Sequence, residues 1–165
     1  MSEPLDPIAE ARRQWINHGW VDAADGMAMV TSLVRVHQLI AERIDGLLRP
    51  LDLTFARYEV LRLLAFSRRP MPMTRLGSLL QVHPASVTNA VDRLEAQGFV
   101  IRERGEHDGR VVLASITEEG RAVTERATER LNGEVFADPG LESTDVATLT
   151  HLLTAYRAQA GDLTT

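Results

Sequence analysis

No cysteine occurs among the 165 residues, which excludes a disulfide, a thiolate metal site and a cysteine redox switch. Lysine is absent too. All 18 basic residues are arginine, so every cation is a planar, forked donor suited to phosphate and to guanine. No apolar run approaches the ~18–20 residues that a membrane span needs. Met1-Ser2-Glu3-Pro4 lacks the basic and apolar regions of a signal peptide, so a cytoplasmic location is expected. The histidines (His18, His37, His83, His107 and His151) show no i, i+3 or i+4 pairing, and no metal site is expected. No glycine-rich phosphate loop, Ser-His-Asp arrangement or paired-carboxylate site stands out, so neither an enzyme nor a bound cofactor is expected.

What is present suits one folded domain with an added oligomerisation region. Apolar residues make up 44% and charged residues 25%, ordinary for a globular chain. The net charge of −5 argues at first against a nucleic-acid partner. Its distribution argues the other way. Residues 1–67 carry 7 Arg and 9 acids, and residues 113–165 carry 4 Arg and 9 acids. Residues 68–112 carry 7 Arg and 5 acids and form the net-positive stretch.

Within that stretch, His83 to Gly98 is marked as a helix at both ends. Pro84 suits a first helical position, where its missing N–H has no partner in any case. Gly98 stands where a left-handed stop comes easiest to glycine. Val87, Val91 and Leu94 make one apolar stripe. Ala85, Asn89 and Arg93 lie opposite it, with Ser86 and Thr88 on the flanks. This outer face reads either as a solvated surface or as one fit for a DNA major groove. There Asn can pair with adenine, Arg with guanine, and Ser or Thr with either.

In chain order, residues 5–18 read as a short helix with Ile8, Ala11 and Trp15 on one side, then a loop bracketed by Gly19 and Gly26. From Met27 to Leu48, Val30, Leu33, His37, Ile40, Ile44 and Leu47 form a heptad seam, ended by Arg49-Pro50. Thr54 caps a helix over 55–66 with Tyr58, Leu61 and Ala65 inward. Residues 68–72 read as a loop, and a short helix over 74–81 is expected to bury Leu76, Leu79 and Leu80. Only Val82 and His83 separate it from Pro84, a helix-turn-helix pattern.

After Gly98, residues 99–104 and 111–116 are β-rich runs around Asp108-Gly109, a hairpin whose polar tip is flanked by Arg104 and Arg110. Asp108 can pair with the Arg110 guanidinium, which reads either as an ordinary surface ion pair or as a forked, charge-assisted brace that would suit a narrow minor groove. Thr117 caps a further helix with Val123, Ala127 and Leu131 as its stripe, broken at Asp138-Pro139-Gly140. A last helix over 143–160 carries Val146, Leu149, Leu153, Tyr156 and Ala160. The seams at 30–47 and 146–160 exceed what one small winged domain needs to bury, so a homodimer is expected.

The pattern resembles the MarR family (multiple antibiotic resistance regulators) over residues 27–160 or so. It is carried by Val82-His83-Pro84-Ala85-Ser86-Val87-Thr88, Val91-Asp92-Arg93-Leu94-Glu95, Gly98-Phe99-Val100, Asp108-Gly109-Arg110 and Ile116-Thr117-Glu118-Glu119-Gly120-Arg121. The expected fold is mainly α with a small β-hairpin wing: a winged helix-turn-helix over 51–117, with dimerisation helices over 1–50 and 118–165. The resemblance implies a homodimeric transcription factor on a palindromic operator in double-stranded DNA, usually a repressor released by a small-molecule effector. Recognition-helix side chains would enter the major groove, and the wing arginine the minor groove. A protein-interaction winged helix that stays off DNA is the alternative.

One branch of the family responds to urate through an N-terminal Trp, an acid and a recognition-helix Arg. Trp15 and Glu59 match the first two, whereas Asn89 stands in place of the Arg, which counts against urate. Trp15 also reads as an anchor for the N-terminal arm. His37 reads as a hydrogen-bonded core residue or a ligand contact.

Overall fold

In the computed structural model, which describes residues 5–67, 69–105 and 110–163, seven α-helices and three short strands fall into two units divided between Gly46 and Leu47. The N-terminal unit opens with helix α1 (Pro7–Asn17), where the Asp6 side chain accepts from the Ile8 N–H at 2.9 Å. Gly19, at φ +93°, turns the chain into α2 (Val21–Leu48). The expected loop to Gly26 is therefore helix. A lone interior glycine costs only about 1 kcal/mol relative to alanine, and Ala23, Ala24 and Ala28 around Gly26 favour the helix. Arg12 Nε reaches Asp25 Oδ1 at 2.6 Å, and Trp15 meets Trp20 edge-on at 5.3 Å. Along the heptad seam Val30 and Val34 are 51% and 55% exposed, and Ile40 and His37 are exposed as well. His37 is not a core residue within one chain.

The second unit begins as a 3₁₀ turn (Arg49–Leu51) gives way to Asp52 in a left-handed conformation. The Thr54 hydroxyl accepts from the Arg57 N–H at 3.3 Å and starts α3 (Phe55–Phe66), which buries Tyr58, Val60, Leu61 and Leu64. Met71–Pro72, expected as loop, is strand β1, paired antiparallel with the later strand Val112–Ile116. Two residues carry no readable alternation, and proline is tolerated because β1 lies at the sheet edge. Helix α4 (Met73–Leu80) buries Leu76, whereas Leu79 is 51% exposed and Leu80 half-buried, against expectation. At two turns, α4 has room to press only one narrow face into the core. Gln81, at φ +53°, ends it.

Helix α5 (Pro84–Ala96) buries Val87, Val91 and Leu94. It stops as expected: Gly98, at φ +75°, and Phe99 send their N–H groups back to the Glu95 and Leu94 carbonyls, each at 2.9 Å. Strands β2 (Val100–Arg104) and β3 (Val112–Ile116) pair antiparallel from Val100↔Ile116 to Arg104↔Val112, giving the sheet order β1-β3-β2. Helix α6 (Glu118–Leu131) buries Val123, Ala127 and Leu131. A π-helical turn (Asn132–Phe136) follows before the break at 138–140.

The cap of α6 also fastens the sheet to α5. Thr117 Oγ1 accepts from the Gly120 N–H at 3.0 Å and donates to the Gly98 carbonyl at 2.8 Å. A Cβ at Gly120 would fall inside contact distance of the Phe99 carbonyl oxygen and 2.8 Å from Ile116 Cγ1, so α6 approaches this closely only without a side chain there. Helix α7 (Ser143–Gln159) buries none of its residues, leaving Leu149, Leu152, Leu153 and Tyr156 exposed. Its C-terminal end meets the turn between α4 and α5. Arg157 Nη2 donates to Gln81 Oε1 at 2.8 Å, Gln81 Nε2 donates to the Asp162 carbonyl at 2.7 Å, and Arg157 Nε reaches Asp162 Oδ2 at 2.6 Å. No helix among the described residues is long and apolar enough to cross a membrane.

Candidate nucleic-acid interface

The start of α5 is set by a histidine. His83 takes an extended conformation and its Nδ1 accepts from the Ala85 N–H at 3.2 Å, so the helix begins one residue later with Pro84. With the Val87, Val91 and Leu94 stripe locked inward, rotation of α5 is fixed. Ala85, Ser86, Thr88, Asn89 and Arg93 are all exposed, as the periodicity predicts. The Thr88 hydroxyl donates to the Pro84 carbonyl at 3.1 Å and keeps a lone pair outward. Ser86, Asn89 and Arg93 side chains have no hydrogen-bond partner among the described residues, so their donors and acceptors are available to a ligand.

The outer face continues onto the wing. Thr88 of α5, Met73 and Thr74 of α4, Arg102 of β2, and Arg110, Val111 and Val112 border one depression of about 350 Å³. Thr88 and the exposed Arg110 are thus brought together, while Arg104 lies exposed at the end of β2. Asp108, the expected brace for Arg110, lies outside the described residues. Arg93 faces another way. It shares a depression of about 440 Å³ with Asp52, Thr54, Arg57, Ala96 and Gln97, beside the first turn of α3. Arg57 Nη1 donates to Gln97 Oε1 at 2.9 Å, and Gln97 Nε2 donates to Asp52 Oδ2 at 2.8 Å, so that corner is cross-linked.

Sequence reasoning passed over Arg102. Its Nη1 meets Asp92 Oδ1 at 2.6 Å, its Nε donates to Glu95 Oε2 at 2.9 Å, and its Nη2 also bonds Glu95. The hydrogen bond from Arg102 holds the Glu95 carboxyl below the usual carboxylate range. The signal was there to be read: two acids at i, i+3 on a helix in a net-positive stretch, with an arginine early in the following strand.

The three residues considered for a small ligand have separate settings. Trp15 is half-buried against Trp20, whose ring also meets His18 at 4.2 Å. His37 is exposed midway along α2. Glu59 lies half-buried on α3, and burial pushes its carboxyl up. It borders a depression of about 290 Å³ with Phe55, Tyr58, Arg62, Leu63, Leu79 and Leu80.

The model of the MarR family matches residues 53–112, from the turn before α3 to the start of β3. The fold and sequence agree over a longer span with Sco5413, a MarR family transcriptional regulator from Streptomyces coelicolor. Identity is 39% and the TM-score 0.76, covering 86% of this chain and 99% of that one. The chain belongs to the MarR family. A mutant MarR from Escherichia coli, solved complexed with operator DNA, is 26% identical with a TM-score of 0.72, covering 81% of this chain and 96% of that one. The organic hydroperoxide resistance transcriptional regulator of Bacillus subtilis is 34% identical over 83 residues. That match covers 50% of this chain and 56% of the relative, so the chain spans about half of that protein's length. In this MarR-family chain the matched segment is the one that carries α5 and Arg110.

Proposed function

We propose that this chain is a sequence-specific, DNA-binding transcriptional regulator. It acts as a homodimer on a palindromic operator, by binding and not by catalysis, in the cytoplasm. The observation that carries the reading is the exposed polar face of α5, held outward by a fully buried stripe and continuous through Thr88 with Arg110 of the wing. The related Escherichia coli protein bound to operator DNA supports the same use of this fold. Ala85, Ser86, Thr88 and Asn89 would face base edges, and Arg110 the minor groove. Arg104 and Arg93 would face the backbone. Residues 51–117 would form the DNA-binding part, with 1–50 and 118–165 joining two copies.

Pairing is supported by the seams of α2 and α7, whose apolar side chains lie exposed in the single chain. Two half-sites one helical turn apart would then occlude a promoter, hence repression. The half-buried Glu59 and its apolar surroundings suit a small effector. Selection of duplexes from a randomised pool, followed by fluorescence anisotropy on the winners, tests the central reading. A palindromic consensus is expected. Recovery of no sequence above the starting pool would leave the protein-interaction alternative.

A further inference from the structure

We propose that Arg102 is a positioning residue of the DNA interface, a clamp on β2 that fixes the angle between α5 and the wing and offsets part of the charge of two α5 carboxylates. The proposal rests on the DNA-binding reading above. Asp92 and Glu95 stand on the flank of α5 that meets β2, and one guanidinium engages both. The Arg102 backbone N–H adds a contact to Glu95 Oε1 at 3.3 Å, so main chain and side chain of the strand grip the same acid. A forked, planar cation can satisfy two carboxylates in this way, and an ammonium cannot hold the same geometry.

Two consequences follow from the placement. The buried stripe sets how far α5 is turned about its axis, but apolar contact resists sliding and tilting weakly because it has no direction. The paired carboxylates supply directed contacts near the C-terminal half of α5, from the strand that leads to the wing tip. Arg102 also borders the same depression as Thr88 and Arg110, so it adjoins both the polar face of α5 and the wing. The second consequence is electrostatic. A helix in a groove has phosphates on both sides, and bare Asp92 and Glu95 would repel them. Arg102 offsets one of those two charges and holds both carboxylates towards β2.

The probes are a duplex selected by the unaltered protein from a randomised pool and a scrambled duplex of the same composition. Affinities come from anisotropy over a salt series, with thermal melting followed by circular dichroism as the folding control. R102Q should weaken the selected duplex about 10-fold or more and the scrambled one only about 3-fold, so that discrimination collapses. R102K keeps the charge but not the fork and should also lose discrimination; it decides the question where R102Q melts below the assay temperature. The pair D92N/E95Q should bind scrambled DNA more tightly and discriminate less, and adding R102Q to it should lower discrimination no further. A simple phosphate contact by Arg102 predicts equal losses on both duplexes, and an unchanged ratio in R102Q and R102K overturns the proposal. Failure of the unaltered protein to select any duplex overturns the DNA-binding reading instead.

Discussion

Asn89 and Arg93 are one turn apart on α5 and have different neighbours. Asn89 faces outward beside Thr88, whereas Arg93 shares its depression with Arg57 and the first turn of α3. Asn89→Ala should therefore cost about 1–3 kcal/mol, confined to particular operator positions. Arg93→Ala should weaken all duplexes alike and lower the salt slope by about one counterion per protomer, as a phosphate contact does. Arg110→Ala should also lower the slope by about one per wing; an unchanged affinity and slope would remove the wing from the interface. Glu59 bears on stability. Its carboxyl is raised by burial in the fold, so the folded chain binds this proton more tightly than the unfolded one. Stability then falls as pH rises from the ordinary carboxylate range through the raised value, and the penalty is complete above it. Glu59→Gln should raise the melting temperature at neutral pH and flatten that part of the pH profile.

Among the elements, the junction of α6 with the sheet should be the least tolerant. Gly120→Ala sets a methyl against the Phe99 carbonyl, a backbone atom that cannot rotate away, so a loss of about 1–3 kcal/mol or more is expected in urea melts. Thr117→Ala removes the cap and the bond to Gly98 together and should cost about 1–2 kcal/mol. Elements with several marks at once were legible in the sequence. Pro84, the Val87–Val91–Leu94 stripe and Gly98 agree on one helix, and Thr117 with two following acids agrees on another. Elements resting on long-range pairing were not. Strand β1 exists because β3 accepts it across some 40 residues of chain, and two residues cannot announce that. Gly26 misled because local cost was read without the length of favourable helix on either side. The candidate site divides the same way. Periodicity reveals which residues of α5 face out, but the Arg102 clamp depends on how β2 lies against α5, which only packing decides.

For the whole molecule, the net charge of −5 is no obstacle to DNA, because the acids concentrate outside the net-positive segment 68–112. The exposed seams on α2 and α7 set the assembly prediction: sedimentation at micromolar concentration should give about twice 18.3 kDa. Val34→Glu with Leu153→Glu should shift it towards monomer, while a monomer of the unaltered chain that still gripped a two-half-site duplex tightly would defeat the dimer. The contact of Gln81 with Arg157 and Asp162 gives this assembly a thermodynamic side. One end of α7 grips the turn that sets the entry of α5, and the body of α7 carries the exposed apolar seam proposed above to meet a second copy. Two equilibria that share such a part are linked, and linkage is reciprocal. By whatever factor pairing changes affinity for the operator, the operator changes the pairing constant by the same factor. The response to rising protein concentration is then steeper than either equilibrium alone would produce, and cutting the grip with Gln81→Ala would flatten it.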